Sequence, residues 1–154
     1  MAEEVVFTRA TRVAEVIERL VGEASVSIEA ALYRLNSPRL SRALEGALRR
    51  GVTVRLLLDR KKHEESPAAR ELHANQRVPF RLSYGRSGPG SKMHHKFVIL
   101  DAQIVLTGSY NWTLESEEQN YESLVILRDP RVVENHGKEF EALWAKAAEA
   151  GGGK

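Results

Sequence analysis

Between Met93 and Thr113 the chain sets His94, Lys96 and Asp101 in the spacing H-x-K-x4-D, followed by Gly108-Ser109-Tyr110-Asn111-Trp112-Thr113. An imidazole can attack phosphorus, an ammonium and a carboxamide can hold nonbridging phosphoryl oxygens, and a carboxylate can orient the imidazole. All four types are present, with Asn120 and Glu122 a few residues further on. The set points to phosphodiester cleavage without a metal. No carboxylate cluster suited to a hard cation accompanies it, and the chain has no cysteine for a thiolate site. No cofactor is expected.

Side chains alternate across a strand, so His94 and Lys96 should project to one side and His95 to the other. Ser109 and Asn111 are likewise two apart after a strand ending at Gly108, and Asn120 and Glu122 repeat the spacing where another strand begins. One rim of a sheet would then carry three polar pairs. Asp101 lies five beyond Lys96, an odd separation, where the strand turns. It is expected to brace that turn or a neighbouring cation, as a structural part of the motif.

The elements that must position these residues alternate in type. Val5 to Phe7, Val26 to Tyr33, Val52 to Leu58, Arg81 to Ser83, His95 to Leu100, Ile104 to Thr107 and Tyr121 to Leu127 read as strands. Val13, Val16, Ile17, Leu20 and Val21 recur at helical spacing. Ser37-Pro38, Ser66-Pro67 and Asp129-Pro130 are helix starts, each with a capping side chain before a proline. The pattern predicts an α/β fold with a mixed β-sheet flanked by helices on both faces. Residues 1–150 form one expected domain, with 151–154 as a flexible tail. Gly85 to Gly90 reads as a flexible segment, either a mobile lip at the mouth of the site or an ordinary loop. Glu115, Glu117 and Glu118 read as a solvated loop.

The formal net charge is only +2, but it is unevenly spread. From Arg60 to Lys92 eight basic residues face three acids, whereas from Thr113 to Ala150 nine acids face four basic residues. Arg60, Lys61, Lys62, Arg77, Arg81, Arg86 and Lys92, interleaved with Phe80 and Tyr84, suit a groove for single-stranded nucleic acid, or else a solvated face. Lys92, Arg86 and Tyr84 are therefore candidate substrate contacts. Trp112 is a further candidate, and with Tyr110 it could stack on a base or pack against a neighbouring helix. His63, His73 and His136 read as surface or internally satisfied histidines. No stretch reaches the ~20 apolar residues that span a bilayer, and no signal-peptide core is visible. A membrane partner is not expected. The chain is expected to be soluble and cytoplasmic, or periplasmic or secreted if a leader has been removed.

His94-His95-Lys96-Phe97 through Asp101, Gly108 to Thr113, and Asn120-Tyr121-Glu122 resemble the phospholipase D superfamily. The pattern is most similar to its small single-motif members, the Nuc-like nucleases and the mitochondrial cardiolipin hydrolase, or Zucchini, group. The resemblance runs from about residue 5 to 145 and implies the phospholipase D-like fold. It implies that His94 is a nucleophile forming a phosphohistidine, that Lys96 and Asn111 bind phosphate oxygens, that Ser109 supports the phosphate or the histidine, and that Glu122 accepts a hydrogen bond from His94.

One motif supplies one imidazole, whereas the reaction needs a neutral nucleophile and a second group to protonate the leaving alkoxide. A homodimer with a shared active site, two His94 rings meeting across a twofold axis, would supply both. The favoured function is thus a metal-independent endonuclease acting on DNA or RNA, single- or double-stranded, with little sequence preference. The alternatives are a phospholipase D-type hydrolase of lipid headgroups and a nucleic-acid-binding module without catalysis.

Overall fold

The computed structural model describes residues 3–74 and 78–150. Along these run β1 (Glu4–Phe7), α1 (Val13–Glu23), β2 (Ser27–Leu32), α2 (Pro38–Arg49), β3 (Thr53–Asp59), α3 (Arg60–Glu65), α4 (Pro67–Ala74), β4 (Phe80–Ser83), β5 (Lys96–Leu100), β6 (Ile104–Gly108), α5 (Leu114–Glu118), β7 (Ser123–Leu127), α6 (Pro130–Lys146) and β8 (Ala148–Ala150). The strands form one mixed sheet in the order β1-β7-β6-β5-β2-β3-β4-β8. β2, β3 and β4 are parallel neighbours, and the remaining pairings are antiparallel.

Alternation divides the apolar residues between two faces. Ile28, Ala30 and Leu32 pack with Leu56, Leu58, Val98 and Leu100 under α1 and α2. Ala31, Leu57, Phe97 and Ile99 pack with Val133 and Phe140 of α6 on the other face. Covered on both sides, the central strands carry nearly unbroken apolar runs, as buried parallel strands do. This is the α/β architecture expected from the sequence.

The helix starts form where serine or aspartate precedes proline. Ser37 Oγ accepts from the Leu40 amide at 3.3 Å, Ser66 Oγ from Ala69 at 3.0 Å, and the Asp129 carboxylate from Arg131 at 2.9 Å. Two short helices are not anticipated by periodicity. In α3 none of the six residues is buried. Its start is fixed by Asp59, whose carboxylate accepts from the Lys62 amide at 3.0 Å. In α5 Thr113 caps Ser116 at 3.2 Å. Glu117 of α5 is not the solvated loop residue expected, because its Oε1 accepts from the Ala14 amide at 3.0 Å and the Tyr110 hydroxyl at 2.8 Å. It thereby caps α1, which has no side-chain cap of its own.

Strand register then fixes which ends meet. Lys96 lies opposite Leu32, Leu32 beside Leu58, Asp59 beside Ser83, and Gly108 opposite Leu124. The residues around His94, Ser109, Glu122, Tyr33, Asp59 and Tyr84 consequently share one rim of the sheet. Among the described residues no helix is long and apolar enough to cross a membrane.

Candidate active site

His94 stands just before β5, on a chain segment held from behind. Met93 is buried, and its amide donates to Asp59 Oδ1 at 2.9 Å. The Tyr33 amide donates to the His95 carbonyl at 2.8 Å, tying the same segment to the end of β2. The exposed His94 ring packs on Tyr33, with centroids 4.4 Å apart. Lys96 follows on the same side, its Nζ 3.3 Å from His94 Nδ1 and donating to the His94 carbonyl at 2.9 Å. Intervening His95 turns to the opposite face, where its Nε2 lies 2.8 Å from Glu139 of α6.

These neighbours set the charge states. Desolvation first, then Lys96 and Lys92, hold the His94 ring below the ordinary histidine value, with Asp59 opposing them. Desolvation also lowers Lys96, against the opposing carboxylate of Glu122. The result is an imidazole biased toward its neutral, nucleophilic form beside an ammonium.

The second half of the site comes from the ends of β6 and β7. Gly108, at φ 139°, lets the two chains close up: a Cβ there would collide with the Ser123 carbonyl oxygen. Ser109 Oγ then accepts from the Ser123 amide at 3.0 Å. The Asn111 amide donates to Ser116 Oγ at 3.2 Å, while Asn111 Oδ1 is buried without a partner. Glu122 Oε2 accepts from Ser116 Oγ and from Asn120 Nδ2, each at 3.1 Å. Thr8 Oγ1 fixes the segment by donating to the Asn120 carbonyl at 2.7 Å and accepting from the Glu122 amide at 2.8 Å.

Several expectations change here. Within the one chain described, Glu122 Oε2 accepts from the buried Ser116 hydroxyl and from Asn120, and the His94 ring rests on Tyr33. Trp112 and Tyr110 are each only 2% exposed, so neither can stack on a substrate; both belong to the core under α1 and α2. Phe80 is buried against the rings of His63 and His73. Arg81 lies on the far face, its guanidinium 4.2 Å over the Trp144 ring. Arg77 lies outside the described residues.

Tyr84, Arg86 and Lys92 do come together with His94. They line a groove of about 700 Å³ to which Arg60 and Lys146 add positive charge. Arg60 lies 5.3 Å over the half-exposed Tyr84 ring. The segment from Gly85 to Gly90 is a tight hydrogen-bonded turn instead of a loose lip. The Gly85 amide donates to Ser91 O at 3.1 Å and Ser91 to Gly88 O at 2.9 Å, and a Cβ on Gly85 would strike the Lys92 backbone. That turn seats Lys92.

Asp101 stands at the opposite end of β5. Its carboxylate accepts from the amides of Ser25, Val26 and Ser27 at 2.7–3.1 Å. These bonds hold it below the usual carboxylate value against the opposing effect of desolvation. The described residues contain no group of three or more His, Asp or Glu side chains placed to hold a metal ion. Sequence reasoning passed over Asp59 and Tyr33. The first was detectable as an acid closing an apolar strand immediately before a basic run; the second carried no signal beyond its place at a strand end.

Residues 17–144 match the family described as cardiolipin synthase, PLD-like domain. A mitochondrial cardiolipin hydrolase of Xenopus laevis is 36% identical over 124 residues, which are 79% of this chain and 56% of that protein. The chain spans about half the length of the curated relatives it matches. In fold it is similar to the phospholipase D family member Nuc from Salmonella typhimurium, with a TM-score of 0.87, 24% identity, and coverage of 97% of this chain and 98% of that one. It is also similar to NucT from Helicobacter pylori, with a TM-score of 0.81, 18% identity, and coverage of 97% and 100%. With the matched family spanning most of the chain, and the H-x-K-x4-D and G-S-x-N residues standing on one sheet of Nuc-like fold, the chain belongs to the phospholipase D superfamily.

Proposed function

We propose that this chain is a metal-independent phosphodiesterase that cleaves nucleic-acid phosphodiester bonds through a phosphohistidine at His94, in a homodimer with a shared site. The observation that carries the reading is His94 itself: exposed, biased toward the neutral ring, paired with Lys96, and opening onto a groove lined by Tyr84, Arg86 and Lys92.

In the free site the Lys96 ammonium faces the lone pair of His94 Nδ1, which leaves the proton of the neutral ring on Nε2. A bound phosphate draws Lys96 to its nonbridging oxygens and releases Nδ1. The proton can then reside there, and Nε2 becomes the attacking nitrogen. Its lone pair forms the N–P bond as the P–O bond to the leaving group breaks. The partner chain's imidazolium gives its proton to the departing alkoxide. Water then attacks phosphorus, passes a proton to the partner's imidazole, and the N–P bond breaks. Lys96 and Asn111 hold the phosphoryl oxygens through both steps, offsetting their charge as a divalent ion does elsewhere.

His95 lines the same groove but is engaged with Glu139, which leaves His94 as the uncommitted imidazole of one chain and supports a second imidazole from another copy. Tyr121, 89% exposed, and half-exposed Phe7 flank Ser109 and Glu122, where apolar side chains at the edge of a site suit an interface between copies.

A lipid reading is favoured by the match to the family described as cardiolipin synthase, PLD-like domain, and by the likeness to a protein named mitochondrial cardiolipin hydrolase. The test is incubation in chelator with single-stranded DNA, double-stranded DNA, RNA and cardiolipin vesicles, with His94→Ala as control. Cutting of at least one nucleic acid by the unaltered chain alone is expected. Hydrolysis of cardiolipin with every nucleic acid intact would reverse the choice of substrate, and binding without cleavage would leave only the module.

A further inference from the structure

Beside the rim, between the end of β2 and helices α3 and α4, lies a cavity of about 200 Å³ walled by Tyr33, Asn36, Asp59, Lys62, His63 and His73. It is smaller than the ~300–1,000 Å³ of drug-sized ligand sites, so a single ring system is the kind of group it can take. It adjoins the candidate active site through one side chain. Tyr33 both walls the cavity and supports the His94 ring, and Lys62 Nζ lies 5.8 Å from the centre of the same ring.

The cavity's charges cancel. Arg34 and Lys62 are matched by Asp59 and Glu65. Each also has a partner already: Arg34 is 3.7 Å from Glu115, Lys62 is 3.7 Å from Glu65, and Asp59 accepts from the Lys62 and Met93 amides. A second phosphate would find no free cation there, whereas a neutral planar group would meet no opposing charge. The histidines point the same way. Their rings stack 5.5 Å apart at 28°, and His73 Nε2 lies 3.2 Å from the Leu35 carbonyl, which fixes the pair. Burial keeps both below the ordinary histidine value, His73 down to about 4, so they are neutral near pH 7. His63 Nδ1 is buried with no hydrogen-bond partner, an unfavourable state until something supplies one.

We propose that this cavity is a nucleobase subsite: the base of the nucleotide next to the scissile phosphate enters it, and a turn of the His63 ring brings the now-covered Nδ1 to the cavity wall to hydrogen-bond with that base. The proposal rests on the nuclease reading, and it replaces indifference to sequence with a preference at one position beside the cut. One neutral hydrogen bond corresponds to a preference of about 2- to 10-fold.

Two measurements test it. Adenosine, guanosine, cytidine and uridine are titrated into the unaltered protein while the ring signals of its five histidines are followed by NMR. The His63 and His73 signals should move with one nucleoside at lower concentration than with the others, while those of His95 and His136 stay in place. In parallel, cut sites are mapped on a randomised oligonucleotide for the unaltered chain and for His63→Phe. The preference at the neighbouring position should vanish in the variant. Nucleosides that leave His63 and His73 unmoved overturn the subsite even if oligonucleotides are cut, and so does a preference that survives His63→Phe. Ring shifts without cleavage of any nucleic acid sustain the subsite and remove the nuclease reading instead. The NMR arm uses the unaltered chain, so it decides even if the variant fails to fold.

Discussion

The two ends of β5 carry the same motif and have opposite characters. At the Lys96 end the polar groups perturb one another or lack partners: the exposed His94 ring rests on Tyr33, Lys96 crowds its Nδ1, and buried Asn111 Oδ1 has no hydrogen bond. At the Asp101 end every lone pair of interest is used, with one carboxylate accepting from three successive amides of the chain entering β2. Five residues of strand separate them, ~17 Å at 3.3 Å per residue. Motif residues close in sequence thus divide into an end that leaves groups unpaired, the proposed reactive end, and an anchoring end that satisfies them. Polar groups with their hydrogen bonds made stabilise, whereas those without partners are left to bind and react.

Substitutions at the two ends should separate along that line. The largest effect belongs to His94→Ala, expected to lower turnover at least ~10³-fold with the melting temperature nearly unchanged, because the side chain is exposed. Lys96→Ala should act in the same direction. Steady-state kinetics beside thermal unfolding checks both, and a stability loss matching the activity loss would erase the contrast. Asp101→Ala should do the reverse, costing about 3 kcal/mol of stability through three lost charge-assisted bonds while turnover below the melting temperature persists. A well-folded but inactive Asp101→Ala would place that carboxylate at the reactive end after all.

Smaller effects sharpen the division. With the folded His94 pKa lowered and the neutral ring required for attack, the acid limb of kcat/KM should fall below ~6.5, activity being lost as pH drops through that lowered value. Lys92→Gln removes one cause of the lowering, so the limb should move to higher pH; a limb that stays put would mean Lys92 does not act on His94. At the anchoring end, Asp101 and Ala102 adopt φ of 54° and 52° in the turn closed by the Gln103 amide on Leu100 O. Alanine pays for that conformation and glycine does not, so Ala102→Gly should raise stability by about 0.5–1 kcal/mol in a denaturant titration without altering kinetics.

Much of this division was legible in the residues. Parity alone separated His94 and Lys96 from His95 and Asp101, because period-two alternation is a geometric property of strands. Ser37, Ser66 and Asp129 marked their helices because capping is local. What escaped were features decided by tertiary partners. α3 has no apolar face to read, and depends on Asp59. Glu117 looked solvated in a run of acids, yet it caps α1 from across the fold. Trp112 stood next to motif residues and went to the core, and the carboxylate of Glu122 went to Ser116 and Asn120. No spacing rule indicates which of several nearby donors a carboxylate will choose.

The covalent role of His94 is the claim on which the rest stands. Rapid mixing with labelled oligonucleotide, quenched in neutral denaturant to preserve acid-labile phosphoramidates, should trap a nucleotide adduct on His94, with one adduct for every two chains. Turnover without any adduct, or an adduct on a different residue, would contradict the account.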